Sequence, residues 1–291
     1  MKILKWSILH LILVRKFIFF DLMKKNKIET EISSKRPRWK VTVIVLISII
    51  SVFIIYYSIM SMMSPMRKLE DIKKEYGAKA SEKNQVEEKI LMDSDYLNLL
   101  KEKAFLQSKV VMAESDSIYL TLNLEDSTAN IEICGVIVHT AKMKSVKISK
   151  ILLNGNETLS MMSTPFIISN AIATIKKVPI MIKMAPKDTS EYKPDIMPDT
   201  SIAEPVNYIL EMKDGIRIYV YQEESIKFAD RLNQFEFDLN DRIKDTWSAL
   251  KSISVFKVPE YHPFIKIKLL RMDAKIIYRS IPKNSQIAIF R

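Results

Sequence analysis

Residues 41–63 read VTVIVLISIISVFIIYYSIMSMM, and the nature of this stretch decides what kind of protein the chain is. Eighteen of its 23 positions are apolar, none is charged, and the uncharged run continues to Met66. At about 1.5 Å per residue, a helix of this length covers roughly 35 Å, enough for a hydrocarbon core of about 30 Å with some tilt. A core helix of a soluble protein is apolar along one stripe and seldom on every face for so many turns. The stretch therefore reads as a transmembrane helix.

Its flanks set the expected orientation. Residues 24–40 hold Lys24, Lys25, Lys27, Lys35, Arg36, Arg38 and Lys40, while residues 67–81 hold Arg67, Lys68, Lys73, Lys74 and Lys79. A bias of seven to five favours an inner N-terminus and an exported C-terminal part. Trp39 is placed to anchor the inner interface, with Tyr56 and Tyr57 toward the outer one. Residues 1–40 then form a basic cytoplasmic tail. A second apolar stretch, residues 3–20, is interrupted by Lys5, Arg15 and Lys16, and its longest clean run, Trp6 to Val14, is too short to span. No small-residue cleavage site follows it. Two readings stay open: residues 1–22 are translated, or translation starts at Met23 and 41–63 is an uncleaved signal anchor.

Charge placement supports a membrane protein over a nucleic-acid binder. The net charge is +11. Residues 1–40 carry 11 Lys/Arg against 3 Asp/Glu, and residues 67–291 carry 34 against 31. A nucleic-acid binder concentrates its basic excess on the folded domain, whereas here it sits beside the apolar segment. Cys134 is the lone cysteine, so neither an intrachain disulfide nor a Cys-based zinc site can form. The three histidines, His10, His139 and His262, are far apart in sequence. Four glycines, where average usage gives about 20, exclude the Gly-rich phosphate loops of nucleotide enzymes.

Beyond the span, residues 64–113 read as a helical stalk, with solvated helices packed on their own domain as an equal alternative. Leu69, Ile72, Tyr76 and Ala80, then Leu97, Leu100, Ala104, Gln107 and Val111, recur at three- and four-residue steps. From Ser117 the period becomes two. Ile118 to Leu124, Ala129 to Ile133 and Val136 to Thr140 form an expected three-strand meander, broken at Glu125–Thr128 and Cys134–Gly135. Residues 207–221, NYILEMKDGIRIYVY, place two alternating strands around Asp214–Gly215, a strong hairpin signal. A Pro-rich loop, 186–205, separates the two sets of strands. In 228–251, Leu232, Phe235, Leu239, Ile243, Trp247 and Leu250 fall at helical spacing. The end reads as a strand 265–269, a short helix Met272 to Ser280, a turn at Pro282–Asn284 and a last strand Gln286 to Phe290. The expected fold is thus a single-pass membrane protein: transmembrane helix 41–63, stalk 64–113, and a mixed, β-rich α+β extracytoplasmic domain 114–291.

The C-terminal string YHPFIKIKLLRMDAKIIYRSIPKNSQIAIF resembles the closing motif of L,D-transpeptidase catalytic domains, which cross-link peptidoglycan. That motif runs Ser-His-Gly-Cys-Ile-Arg-Leu, a loop, Asp-Ala, a helix ending near Leu-Tyr, then Val-Pro-x-Gly-Thr-x-Val. Tyr261–Ile267, Asp273–Ala274, Tyr278, Ile281–Pro282 and Gln286–Ile287 stand at those places, and SIYLTLNLEDSTANIEICGVIVHT (117–140) is similar to the family's opening strands. The resemblance covers about 50 residues and implies a bacterial envelope setting, with the outer domain on the periplasmic side of the inner membrane. It departs where chemistry matters. Phe264 stands at the nucleophilic cysteine and Pro263 at the neighbouring glycine. His262 matches, but without its thiol it has nothing to activate.

No other group replaces the thiol by sequence alone. Cys134 is expected as a small core residue at a strand end. His139 alternates with Ile137, and Asp273 heads a short helix where N-capping accounts for it. Neither a Ser/His/Asp nor a metal-ligand spacing joins these residues, and Met60, Met62, Met63 and Met66 are read as interface apolarity. No catalytic, cofactor or metal residue is therefore assigned. The expected partners are the lipid bilayer through 41–63 and peptidoglycan or an envelope protein through the outer domain, with no nucleic acid. A non-catalytic binding or scaffold domain is favoured over a divergent cell-wall enzyme.

Overall fold

The computed structural model describes residues 38–81, 94–153, 156–177, 204–224 and 228–291. The basic tail up to residue 37, with His10 and Met23, and nearly all of the Pro-rich loop lie outside the described residues. The chain divides into two units, residues 1–55 and 56–291. In the first unit the described part is the beginning of α1 (Arg38–Ser81), where Val41, Ile44, Leu46, Ile49, Val52 and Ile55 are all exposed. Among the described residues, the stretch Trp39–Gly77 of α1 is the one helix long and apolar enough to cross a membrane, and none of its most apolar window is buried.

The second unit is built on a mixed sheet. Its elements after α1 are α2 (Ser94–Ala113), β1 (Ile118–Asn123), β2 (Thr128–Ile133), β3 (Val136–Lys142), β4 (Ser145–Ile148), α3 (Lys150–Leu153), α4 (Asn156–Met162), β5 (Phe166–Ala173), β6 (Asn207–Met212), β7 (Arg217–Gln222), α5 (Phe228–Ser254), β8 (Phe264–Leu269), α6 (Arg271–Ser280) and β9 (Gln286–Phe290). Among the described residues the strand order is β3-β2-β1-β9-β5-β6-β7-β8-β4. The β1–β2–β3 meander and the β6–β7 hairpin are antiparallel, as their alternation and turns predict, while β1–β9 and β7–β8 are parallel. Gly135 and Gly215, at φ of 83° and 79°, sit in two turns that use left-handed backbone.

Two strands the sequence did not reveal close this sheet. The outermost strands, β3 and β4, are separated by Met143 and Lys144 alone. Met143 N donates to Ser127 O on the β2 side at 2.7 Å, and Lys144 N donates to Lys268 O on the β8 side at 2.9 Å. One extended ribbon therefore passes from one end of the sheet to the other, which forces the sheet to curl back on itself. β5 makes the opposite corner: Phe166 and Ile167 pair with β9, and Ile168–Ala173 pairs with β6, with a register irregularity between Ile168 and Asn170. β5 shows no clean alternation, because it faces two different neighbours along its length, and β4 is only four residues long, pairing with β8 throughout.

The inner faces enclose one apolar core. Leu120, Leu122, Ile131, Ile218, Ile265 and Ile287 are fully or nearly fully buried in it. Burying one such side chain contributes about 1.5–3 kcal/mol. Ala274, Ile277 and Tyr278 of α6 enter the same core, and so do Ile72 and Tyr76 of α1. The helical stripe of α2 is also taken up: Ala104, Ser108 and Met112 are buried, and Phe105 tilts against Phe290 of β9 at 5.3 Å. Of the two readings of these helices, a free stalk or helices packed on their own domain, the structure has the second, and α1 passes residue 63 without a break. The stripes are borne out in part: Ile72, Tyr76 and Ala104 are covered, whereas Gln107 and Val111 are exposed and the buried face of α2 continues through Ser108 and Met112 instead.

Candidate functional site

His262 lies at the mouth of a cleft of ≈ 220 Å³ lined by Ser169, Glu211, Lys213, Gly215, Arg217 and Glu260 among others. The Asp214–Gly215 turn organises it. His262 Nδ1 is 3.1 Å from Gly215 O, and Lys68 Nζ donates to Asp214 O at 2.8 Å. A side chain at Gly215 would meet Lys68 Nζ, Glu260 Oε1 and His262 Nδ1 within 3.3–3.6 Å. Ligand pockets run from about 300 Å³ upward, so this cleft is smaller than a substrate site. Ser169 Oγ already donates to Glu211 O at 2.9 Å. The cleft holds acid and base groups around a turn but brings no thiol to His262.

Phe264, which the resemblance in sequence sets opposite the transpeptidase nucleophile, is a packing residue. Its ring meets Tyr219 edge-on at 6.4 Å, and it joins Ile209, Tyr219, Tyr221 and Phe237 in a cluster on the outer face of the sheet. Lys266 Nζ lies 4.4 Å from the Tyr219 ring centre, in cation–π contact. Cys134 is elsewhere and is not the core residue expected from the sequence. It is exposed in the β2–β3 turn, at φ 47°. It begins the β3–β4 ribbon, whereas the residue after the ribbon's far end, Ser149, bonds Phe264 O and the Tyr261 hydroxyl. Some 13 residues of extended chain, a contour of roughly 40 Å, separate the thiol from the His262 neighbourhood. Cys134 Sγ is 3.6 Å from Asp116 Oδ1, and desolvation together with that carboxylate pushes its pKa up. A nucleophilic thiol needs the opposite shift.

The structure does bring two of the singled-out residues together. His139 Nε2 of β3 is 3.2 Å from Asp273 Oδ1 of α6, at ion-pair distance but without hydrogen-bond alignment. Asp273 does not cap the helix, as the sequence suggested; the N-cap residue is Leu270, and no side chain bonds there. Asp273 instead sits in the first turn, where a negative charge suits the helix dipole. The pair ties the edge strand β3 to α6. Among the described residues no group of three or more His, Cys, Asp or Glu is placed to hold a metal ion.

The most elaborate arrangement of charge was missed by sequence reading. Arg217, Tyr219 and Tyr221 point outward from alternate positions of β7, and Asp245, Asp241 and Asp238 share one face of α5. Arg217 Nη1 donates to both Asp245 oxygens at 2.7 and 2.9 Å, Tyr219 Oη to Asp241 at 2.8 Å, and Tyr221 Oη to Asp238 at 2.7 Å. Arg271 Nη2 to Asp230 at 3.4 Å adds a fourth rung. Two residues of strand rise about 6.6 Å and one helical turn about 5.4 Å, so the two ladders stay in step over this distance. The outward-facing polar residues of β7, set opposite an i, i+3, i+7 run of aspartates, were the available signal.

This ladder turns α5 inside out. Its polar face is spent on the sheet, and its apolar stripe faces away. Phe228, Leu232, Phe235, Leu239, Ile243 and Trp247 are all exposed, Phe235 at 64% and Trp247 at 71%. The helix is where the spacing puts it, but its apolar side is uncovered.

The tyrosine rungs carry a pH signature. Burial first, then the hydrogen bonds and charges of Asp241 and Asp238, raise the pKa of Tyr219 and Tyr221 well above the ordinary 10.0. Both groups stay protonated when folded, so their contribution is complete below that ordinary value and is lost as pH rises past it toward the folded values. Circular dichroism should therefore show unfolding setting in above about pH 10, with a shallower alkaline loss in Tyr219→Phe/Tyr221→Phe than in the parent. An equally steep loss in the double variant would disprove the assignment.

No protein family, curated protein or solved structure matches the chain.

Proposed function

We propose that the chain is a membrane-anchored envelope protein of a bacterium, held by α1, whose outer domain is a non-catalytic docking module. Its N-terminus lies inside and its sheet domain outside, in accord with the charge bias around residues 41–63. The sheet domain is a degenerate relative of the L,D-transpeptidase domain that has kept the histidine and lost the thiol.

The observation that carries this reading is the outward apolar face of α5. Six large apolar side chains along one exposed helical stripe make a contiguous patch of the kind that marks an interaction surface. The rim favours an acidic partner. Asp230, Asp238, Asp241 and Asp245 are turned to the sheet, so Arg231, Arg242, Lys244 and Lys251 face solvent against Glu236 alone. The fitting occupant is an amphipathic, acid-flanked helix of another envelope protein.

A photo-crosslinking residue at Leu239 of the full-length protein in cells tests this. The expected product is a crosslink to an apolar protein segment flanked by Asp or Glu, lost in Ile243→Asp and several-fold weaker in Arg242→Glu/Lys244→Glu. Crosslinks to lipid alone would contradict the reading. So would retention on purified sacculi that ignores α5 changes. A carbapenem adduct on Cys134 that is lost in His262→Ala would favour a cell-wall enzyme instead.

A further inference from the structure

α5 ends in a knuckle that buries Ile253 and turns the residues after Ser254 outward. Lys257 N donates to Ser252 O at 2.9 Å and Phe256 N to Ile253 O at 3.0 Å, the two bonds of a Schellman cap. That cap places Phe256 in the left-handed region, at φ 56°. Glycine is the usual residue there, because a side chain is strained. Here the strained position holds a phenylalanine 81% exposed, next to Val255 at 61%. Strain and exposure on one aromatic side chain both act against the fold of an isolated domain in water.

The surroundings say what covers it. The Phe256 ring meets Tyr56 of α1 at 6.1 Å, edge to face. Three residues on, Pro259 O accepts from Ser64 Oγ at 2.7 Å, a bond that is buried and fixes the segment along α1. Tyr56 lies within the uncharged stretch that ends at Met66. The knuckle is thus held some 11 residues, roughly 16 Å along the helix, before the first charged residue, Arg67. Lys251 and Lys257 flank it and Trp247 lies nearer the ladder, the aromatic and cationic setting of a membrane interface.

We propose that Val255 and Phe256 form a second membrane contact, inserted into the acyl layer of the leaflet from which α1 emerges. This rests on the reading of α1 as a span. With α1 it gives the domain two points of attachment, which fixes the tilt of α5 and hence the direction its apolar stripe faces.

The test uses the full chain with Cys134→Ser, reconstituted in nanodiscs of phosphatidylethanolamine and phosphatidylglycerol. Single cysteines at Phe256→Cys, Ile50→Cys and Glu125→Cys carry an environment-sensitive fluorophore. The expected result is blue-shifted emission, quenched by doxyl-labelled lipid, at 256 as at 50, with neither effect at 125. Quenching at 50 with water-like emission at 256 would overturn the knuckle and leave the span standing. A blue shift at 256 without lipid quenching would also overturn it, pointing to a protein cover. Absence of quenching at 50 would remove the span and the knuckle together.

Discussion

Replacing Arg217 with alanine is expected to cost about 3–5 kcal/mol of folding stability, the range for leaving a buried charge without its partner. Arg217 is the central cation of the ladder. Its side chain is 12% exposed and lies 3.0 Å from Glu211, 3.6 Å from Asp241 and 2.7 Å from Asp245. Burial works against its charge, yet the bonds and charges of Asp245 and Tyr219 outweigh that and raise its pKa. Asp245 is partly solvated, so much of the loss comes through Glu211 and Asp241.

The variant also has a predicted pH dependence. Burial pushes the Asp241 carboxyl above its ordinary value; the Tyr219 bond and Arg217 pull it down, and Asp245 and Glu211 push it up. A raised carboxyl costs stability at neutral pH, and that cost falls as pH drops toward its folded pKa. Without Arg217 the carboxyl rises further. The deficit of Arg217→Ala should therefore shrink between neutral pH and about pH 5, measured by urea unfolding of the full chain in detergent. A deficit that grows on acidification would contradict this account of the ladder.

Lys109→Met is expected to cost about 2–4 kcal/mol, somewhat below the full range for a broken buried pair because Lys109 is partly exposed. Its partner Glu132 is fully buried on β2, 3.1 Å from Lys109 Nζ on α2, and accepts from Thr121 Oγ1 at 2.7 Å. With the lysine gone, the carboxylate keeps one neutral donor in an apolar setting. Lys109→Met/Glu132→Gln should recover most of the loss, because an amide tolerates that setting far better than a charge. A double variant no better than the single one would show that Lys109 acts by packing α2 on the sheet.

The sequence announced the regular parts of this fold. Alternation placed β1 to β3 and the β6–β7 hairpin, and Gly135 and Gly215 marked their turns. Helical spacing located α5, and the closing string located β8, α6 and β9. The failures share a cause: periodicity finds a face but does not say what lies against it. The stripe of α5 was legible and its outward direction was not, because Asp238, Asp241 and Asp245 are satisfied by a strand some 20 residues earlier. The α2 stripe left a stalk and a packed helix equally open because β9, against which it lies, arrives only at the end of the chain. β5 was hidden because a strand that changes neighbours loses its two-residue rhythm, and β4 because four residues are too few to show one. The turn at Cys134–Gly135 was legible, but the outward direction of the thiol there was not.

Cys134 offers the most direct measurement of the central claim, that the sheet domain lies outside a membrane crossed by α1. It is the chain's sole cysteine and is exposed on a turn of that domain. Intact spheroplasts treated with a membrane-impermeant maleimide at mildly alkaline pH, which offsets the raised thiol pKa, should label Cys134 as fully as permeabilised cells do. Alkaline carbonate should leave the protein with the membranes. Labelling only after permeabilisation would place the sheet domain inside the cell, and release by carbonate would remove the span itself.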